Sequence, residues 1–159
     1  MSTSTSPNQS AAHEPRPPLT VPLIRELWSK TYNDLGKPDW SHILPYYAPD
    51  VVFQDTVQRV EGIEAFTAMC HRLTKRCQKL IMRIRSIAQE GNDVFMEWEM
   101  IMQFRRSPTT SLYGTTRLTL NDEGRIVQQR DYYDLWGDIF NNVPGWRRVY
   151  RKALVRFFG

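Results

Sequence analysis

The chain has 159 residues, of which 41% are hydrophobic and 24% are charged, as expected for one globular domain. Five of its 21 basic residues lie in the last sixteen positions, which hold no acidic residue, and the other 16 basic and 17 acidic residues nearly cancel. A near-neutral body argues against nucleic-acid binding. The chain has no run of eighteen apolar residues, so no membrane-spanning helix is expected.

The N-terminal segment, residues 1–20, is rich in Ser, Thr and Pro and poor in apolar residues. Such a segment buries too little apolar surface to offset the entropy lost on ordering, so we predict a disordered leader. It also lacks a basic region followed by an apolar run, so no signal peptide is predicted.

The rest of the chain shows two hydrophobic periods. Apolar residues recur at spacings of three and four up to about residue 76, which predicts helices, and then at a spacing of two, which predicts strands. The predicted elements are a helix after Pro22, a short helix after Asp39 that ends at 48–50, a strand over 51–55, a helix after Gly62, and strands over 80–88, 94–104, 112–120 and 125–135.

Helices that precede an antiparallel meander indicate an α+β fold. The helices must cover one face of the sheet, and a curved sheet then leaves a conical cavity beneath them. We therefore predict one domain over residues 21–140, followed by a separate basic amphipathic helix over 141–159.

The two cysteines, Cys70 and Cys77, lie seven positions apart in a segment predicted to be helical. This spacing fits neither a zinc motif nor a Cys-x-x-Cys pair, and two helical turns separate the residues by about 10 Å, too far for a disulfide. We expect reduced thiols and a cytoplasmic protein. His42 and His71 have no carboxylate at ligand spacing, and no metal site, phosphate loop or cofactor motif is predicted.

The last predicted strand follows the turn Asn121-Asp122-Glu123-Gly124 and carries two carboxylates and two phenols. Because side chains alternate across a strand, Gln129, Asp131 and Tyr133 share one face. A carboxylate beside a phenol can be a pair of solvent-exposed side chains with no function, or it can be a proton-transfer pair in a pocket.

Three phrases of the sequence, residues 46–55, 60–66 and 122–134, resemble the SnoaL-like branch of the nuclear transport factor 2-like superfamily. The resemblance covers about residues 22–140. It implies a cone-shaped curved antiparallel sheet packed on about three N-terminal helices, and a homodimer. The superfamily includes isomerases, cyclases, dehydratases, epoxide hydrolases and non-enzymatic binders, so the resemblance specifies the fold better than the reaction.

The same resemblance suggests which carboxylates act. Asp131 matches the first catalytic Asp in the final strand of limonene epoxide hydrolases, and it is placed like the base of SnoaL-like polyketide cyclases. Asp55 matches the general base of ketosteroid isomerases. Both sets are incomplete: Trp98 and Met100 stand where the epoxide hydrolases have an Arg and an Asp, and Thr116 stands where the isomerases hold an oxyanion with an Asp.

The facing rule of the family then predicts an apolar cavity with two carboxylates. Desolvation and the second carboxylate would raise the pKa of one of them, which suits proton transfer near neutral pH. In the structural alternative, Asp131 pairs with Arg117 or Arg130 or bonds backbone amides, and the apolar residues are core. The predicted catalytic residues are Asp131, Asp55 and Tyr133, and the predicted substrate-binding residues are Phe53, Met96, Trp98, Met100, Thr116, Leu118 and Gln129.

Two functions follow as hypotheses. The first is a cofactor-independent isomerase, cyclase or hydrolase that uses the pocket Asp residues for proton transfer on a small hydrophobic carbonyl-type substrate. The second is a non-catalytic protein that binds a lipid-like ligand, because part of each catalytic set is missing. A protein-interaction module would need an exposed apolar sheet face, against which Glu97 and Glu99 argue.

The C-terminal segment 146–159 combines an apolar side with a basic one at helical spacing. Such helices lie on anionic membrane surfaces, with aromatic residues in the interface and Arg towards phosphate. The alternative is a helix that docks on the sheet or across a dimer.

Overall fold

The computed structural model describes residues 16–104, 109–139 and 145–158. Helices and strands alternate early in the chain, and strands dominate later. The elements in order are α1 (Val21–Thr31), two 3-10 helices (Trp40–His42 and Leu44–Tyr46), β1 (Tyr47–Gln54), β2 (Arg59–Glu61), α2 (Ile63–Arg76), β3 (Cys77–Glu90), β4 (Asp93–Phe104), β5 (Thr110–Leu120), β6 (Ile126–Tyr133), a π-helical turn (Leu135–Ile139) and α3 (Trp146–Phe158).

The strands form one six-stranded sheet in the order β2-β1-β6-β5-β4-β3. Strand β1 runs parallel to β6, whereas the other neighbouring strands are antiparallel. The predicted α+β fold with a curved sheet beneath helices is confirmed. Because β1 pairs with β6, the first and last strands lie side by side, and Phe53 is opposite Gln129.

The core lies between the sheet and the helices that cover it. Thr20 caps α1 through its hydroxyl oxygen, which accepts a hydrogen bond from the amide of Leu23, and Pro22 occupies the first turn. Helix α1 buries Ile24 and Trp28, and α2 buries residues on one side only. Amphipathic helices on one sheet face make the apolar layer in which a cavity can form.

Strand β1 begins at Tyr47, so the prediction that residues 48–50 end a helix was wrong. The register between β1 and β6 shifts between Tyr47 and Val52, which leaves Pro49 in an irregular stretch that requires no ladder hydrogen bond from its nitrogen. The predicted second helix is reduced to two short 3-10 helices, and the three-residue strand β2 was not predicted.

Cys77 begins β3 and does not continue the helix, so the helical geometry assumed for the two cysteines was wrong. Both thiols are nevertheless free and buried, as expected. Burial raises the pKa of the Cys70 thiol to about 12, which keeps it protonated and unreactive.

The predicted leader extends to residue 20, but its last residues are ordered by contacts with the β5–β6 turn. Leu19 is buried, and its amide donates a hydrogen bond to the carbonyl of Gly124. The carbonyl of Arg16 accepts one from the Arg125 guanidinium. Residues 1–15, where disorder was also predicted, lie outside the described residues.

The predicted C-terminal helix is present as Trp146–Phe158, and none of its side chains is buried. The rings of Trp146 and Tyr150 stack on Trp136, which lies in the turn after β6. Residues 141–144 and 159 of the predicted segment lie outside the described residues. Within the part of the chain that is described, every helix is too short or too polar to cross a membrane.

Candidate functional site

A cavity of about 330 Å³ lies between the sheet and the helices α1 and α2. This volume is in the range of small-molecule sites. Most of the lining side chains are aromatic or aliphatic, and the polar groups lie on β6, on the turn after β1 and on the C-terminal half of α2. Residues that line the cavity are Trp28, Tyr32, Trp40, Ile43, Tyr47, Phe53, Asp55, Val57, Gln58, Phe66, Met69, Cys70, Arg72, Leu73, Arg76, Trp98, Met100, Met102, Phe104, Leu112, Gln129, Asp131, Tyr133 and Leu135.

Asp131 lies on the cavity wall at the centre of a buried hydrogen-bond network. Its Oδ1 accepts hydrogen bonds from the Thr116 hydroxyl at 2.6 Å and from the Gln129 amide Nε2 at 3.0 Å. Two donors on one oxygen fix the carboxyl group and favour its ionised form.

The outer members of this network determine the direction of each hydrogen bond. The indole Nε1 of Trp98 can only donate, so the Thr116 hydroxyl 2.8 Å away accepts that bond and donates its own proton to Asp131. The Tyr47 hydroxyl donates to Gln129 Oε1 at 2.5 Å, which turns the amide nitrogen towards Asp131. The network therefore presents only donors to Asp131.

Burial raises the pKa of Asp131 to about 6, although the hydrogen bonds from Thr116 and Gln129 oppose the rise, and the nearby Asp55 adds a little to it. Both donors bond Oδ1. No donor among the described residues bonds Oδ2 of this cavity-lining carboxyl group. A fixed carboxylate with one free oxygen and a pKa near neutrality can accept a proton from a molecule in the cavity.

Asp55 has a different environment. Its Oδ1 accepts hydrogen bonds from the amides of Val57 and Gln58, so it closes the turn that follows β1. Its Oδ2 accepts a hydrogen bond of 3.1 Å from the Tyr133 hydroxyl. Burial raises the pKa of Tyr133 well above its usual value, and Asp55 adds to the rise, so the phenol stays protonated. Asp55 and Tyr133 thus form a second polar pair on the wall.

Seven of the ten predicted site residues line the cavity, and the structure brings all three predicted catalytic residues together. Met96, Thr116 and Leu118 do not line it, and each is almost completely buried. Thr116 contacts Asp131 directly, so its role there is to support the carboxyl group. The residues that line the cavity are Phe53, Asp55, Trp98, Met100, Gln129, Asp131 and Tyr133.

The alternative of an ion pair between Asp131 and an arginine is not observed among the described residues. Arg117 bonds Asp93 through two nitrogens, and the Arg130 guanidinium lies over the ring of Tyr132. Asp134 accepts hydrogen bonds from the amides of Trp136 and Gly137 in the next turn.

The helical half of the cavity was missed by the sequence reasoning, which assigned only sheet residues to it. The helical spacing of Phe66, Cys70 and Leu73 was visible in the sequence and marks the face of α2 that lines the cavity. Tyr47 was predicted to lie in a helix, so the sequence pattern gave no indication of its contact with Gln129. No cluster of metal-ligating side chains occurs within residues 16–104, 109–139 and 145–158.

Comparison with known proteins identifies the family. The model of the SnoaL-like domain matches residues 28–129, which is more than half of the chain. The chain belongs to the SnoaL-like domain family. This SnoaL-like protein has no match among curated proteins.

Solved structures similar to this SnoaL-like protein share its fold at low sequence identity. A hypothetical protein with a ketosteroid isomerase-like fold from Catenulispora acidiphila, in complex with trimethylamine, is 15% identical with a TM-score of 0.67, over 81% of this chain and 98% of that one. An LEH-like epoxide hydrolase from M. tuberculosis is 17% identical with a TM-score of 0.62, over 82% and 97%. A putative SnoaL-like polyketide cyclase from Jannaschia is 20% identical with a TM-score of 0.63, over 79% and 91%.

Proposed function

We propose that this SnoaL-like protein is a cofactor-independent enzyme that moves a proton on a small hydrophobic carbonyl compound, with Asp131 as the base. The single observation that supports this most is the state of Asp131. Its carboxyl group has a pKa of about 6 and lines the cavity, both bonded donors are on Oδ1, and no donor of the described residues bonds Oδ2. Desolvation outweighs the two hydrogen bonds that lower this pKa, which leaves a carboxyl group that can take up and release a proton near neutral pH.

In this proposal Oδ2 of Asp131 removes a proton from the carbon next to the substrate carbonyl. The electrons of the broken C–H bond move into the carbonyl to form an enolate, and Asp131 returns the proton to a carbon of the product. The protonated phenol of Tyr133 is a donor for the enolate oxygen once it exchanges its bond to Asp55 for one to the substrate. Phe53, Trp98 and Met100 hold the apolar body.

Asp131 is proposed as the base, and not Asp55, because the hydrogen bonds of the two carboxylates differ. Asp55 is committed to the 55–58 turn through two amide bonds, whereas Asp131 keeps an open oxygen. Isomerisation and ring closure can begin with a proton transfer by such a base, and two of the structural relatives are named as an epoxide hydrolase and a polyketide cyclase. Proton transfer is therefore the step to test first.

The test follows deuterium exchange from solvent into a panel of cyclic ketones and β-diketones by NMR. We expect exchange above the uncatalysed rate, rising through about pH 6, and a 10²- to 10⁴-fold loss in Asp131→Asn. Asp50→Asn, the same substitution at an exposed position, is the matched control. Exchange that persists in Asp131→Asn would disprove the assignment of the base.

A second candidate function is favoured by the C-terminal helix. We propose that α3 holds the protein on an anionic membrane surface, which would suit an accessory protein for a lipid-like ligand. Charge complementarity supports this: α3 has five cations and no acid, and Val149 and Phe157 expose 65% and 76% of their surface.

A further inference from the structure

The mouth of the cavity is defined by the lining residues that reach solvent. Of the 24 residues that line the cavity, only Val57, Gln58, Arg72 and Arg76 are exposed, and the others are buried or partly buried. The first two belong to the turn after β1, and the two arginines belong to the end of α2. The mouth therefore has an apolar group and an amide on one side and two guanidinium groups on the other.

The two arginines are suitably placed to act together. Arg72 and Arg76 are four residues apart on α2, so they lie one turn apart on the same side of the helix. Neither forms an ion pair with any other residue of the described ranges. The exposed residues of the mouth include no acid.

A simpler explanation would be that these cations only complement the dipole at the C-terminal end of α2. Lys75 lies in the same last turn, is exposed, and does not line the cavity. It provides that charge without access to the cavity. Complementing the helix dipole therefore does not explain why Arg72 and Arg76 line the cavity. Lys75 serves as the control for an effect of charge at the helix end alone.

We infer that the cavity takes an amphiphile with an apolar body and an oxyanionic end group, and that Arg72 and Arg76 hold this end group at the mouth. The proposal rests on the proposed function in that it names the substrate class of the same cavity. A guanidinium forks onto a carboxylate, sulfonate or phosphate through two parallel hydrogen bonds. The carboxylates of Asp55 and Asp131 repel an anion from the interior, so the ligand enters body first.

This orientation has a chemical consequence. With the oxyanion at Arg72 and Arg76, the apolar body extends past Met69 and Leu73 towards β6, where Asp131 lies. The reacting carbon is then some distance from the charged group, along the apolar part of the ligand. The basic mouth also attracts such ligands from solution, an effect that salt weakens.

The test compares two fluorescent probes with the same body, 8-anilino-1-naphthalenesulfonate and its uncharged analogue N-phenyl-1-naphthylamine, which lacks the sulfonate. We expect the full chain to bind the sulfonate at least about tenfold more tightly, since a hydrogen bond to a charged group contributes roughly that factor. The double variant Arg72→Gln/Arg76→Gln should lose this preference and keep its affinity for the uncharged probe. Lys75→Gln should keep both affinities.

The inference would be overturned by equal affinity for the two probes, by a preference that survives in the double variant, or by no saturable sulfonate binding below about millimolar concentration. If Lys75→Gln lost the sulfonate preference as fully as the double variant does, the preference would reflect general electrostatic attraction by α2. That result would also overturn the inference. Binding of the two probes requires no turnover, so it is measured independently of the exchange reaction. The preference for the sulfonate probe can therefore be absent in a protein that shows Asp131-dependent deuterium exchange. It can also be present in a protein that shows no such exchange.

Discussion

The carboxyl group of Asp131 should make the folded protein less stable as the pH rises. Its pKa is about 6 in the folded state and about 3.9 in an unfolded chain, so the unfolded state releases the proton first. Stability from this group is therefore fully present below about pH 4 and is lost as the pH rises through 6. At neutral pH the loss is on the order of 2–3 kcal/mol.

We expect Asp131→Asn to be more stable than the natural protein by about 2 kcal/mol at pH 8, with little difference at pH 4. The amide keeps an oxygen for Thr116 and Gln129 but has no charge to desolvate. Urea unfolding at both pH values measures the difference. Asp50→Asn should show no such trend, and a gap in Asp131→Asn that does not widen with pH would contradict the assigned pKa.

Thr116→Val tests the support of the carboxyl group. The valine removes the hydrogen bond that lowers the pKa of Asp131, so this pKa should rise above 6. It also leaves the buried indole N–H of Trp98 without its acceptor, which should cost about 1–3 kcal/mol of unfolding free energy. Carboxyl NMR titration and urea unfolding measure the two effects.

Thr115→Val is the control for that substitution, because Thr115 points to the other face of β5. It should change neither the pKa of Asp131 nor the unfolding free energy by more than about 0.5 kcal/mol. An unchanged or lower pKa of Asp131 in Thr116→Val would mean that the threonine does not stabilise the ionised form.

At this scale the sequence predicted which residues meet better than what they do. Alternation along one strand placed Gln129, Asp131 and Tyr133 on one face, and the facing rule of the resembled family assigned that face to the cavity. It did not separate the lining of the cavity from the layer behind it, so Thr116 was predicted to bind substrate. The depth of a side chain depends on sheet curvature and on the covering helices, neither of which a period of two encodes.

Among the elements, the pairing of β4 with β5 depends on a glycine. Gly114 lies opposite Trp98, and a Cβ at this position would be 2.5 Å from the indole ring and 2.7 Å from the carbonyl oxygen of Tyr132. The absence of a side chain therefore allows Trp98 to lie flat across the strand and reach Thr116.

Gly114→Ala should displace the Trp98 indole and lower the free energy of unfolding by about 1–3 kcal/mol, because the carbonyl of Tyr132 cannot move independently of the sheet. Urea unfolding followed by tryptophan fluorescence measures both changes. Ser111→Ala, on the same strand, should be nearly neutral. A Gly114→Ala protein of natural stability would contradict the close approach.

Helix α3 provides the test of the membrane proposal. We expect the protein to sediment with vesicles that contain about a third phosphatidylserine and not with phosphatidylcholine alone. The triple variant Arg147→Gln/Arg148→Gln/Arg151→Gln should bind the anionic vesicles roughly a hundredfold more weakly, at about 1 kcal/mol for each lost charge.

The matched control removes three exposed charges elsewhere, in Arg25→Gln/Lys37→Gln/Lys79→Gln, and should keep nearly full binding. Equal losses in the two triple variants would assign the binding to net charge. Binding that is the same for neutral and anionic vesicles, or absent, would contradict a membrane role for α3.

Elements with many residues of one period were predicted well, and short or irregular ones were not. The strands β3 to β6 and helix α2 were found within a few residues of their bounds. The predicted start of β1 was too late because Ala48-Pro49-Asp50 is a typical helix-stop sequence. In the structure this segment belongs to the sheet, where its register with β6 is irregular. Strand β2 has three residues, too few for a period to show.

For the whole molecule, the order of elements predicted the fold, because helices followed by an antiparallel meander have few ways to cover one sheet face. The reaction was not predictable in the same way. Relatives with the same fold are 15–20% identical to this chain, and the side chains of the cavity are what can differ between them. The predicted homodimer and cytoplasmic location stay predictions.

The most direct test of Asp131 as a general base is a ¹³C NMR titration of the Asp side-chain carboxyl groups in the whole protein, with Asp131→Asn to assign the resonance. We expect one resonance that titrates near pH 6 in the natural protein and is absent from the variant. If Asp131 titrates near pH 4, like an ordinary exposed aspartate, the carboxylate is a structural group and the proposed function fails.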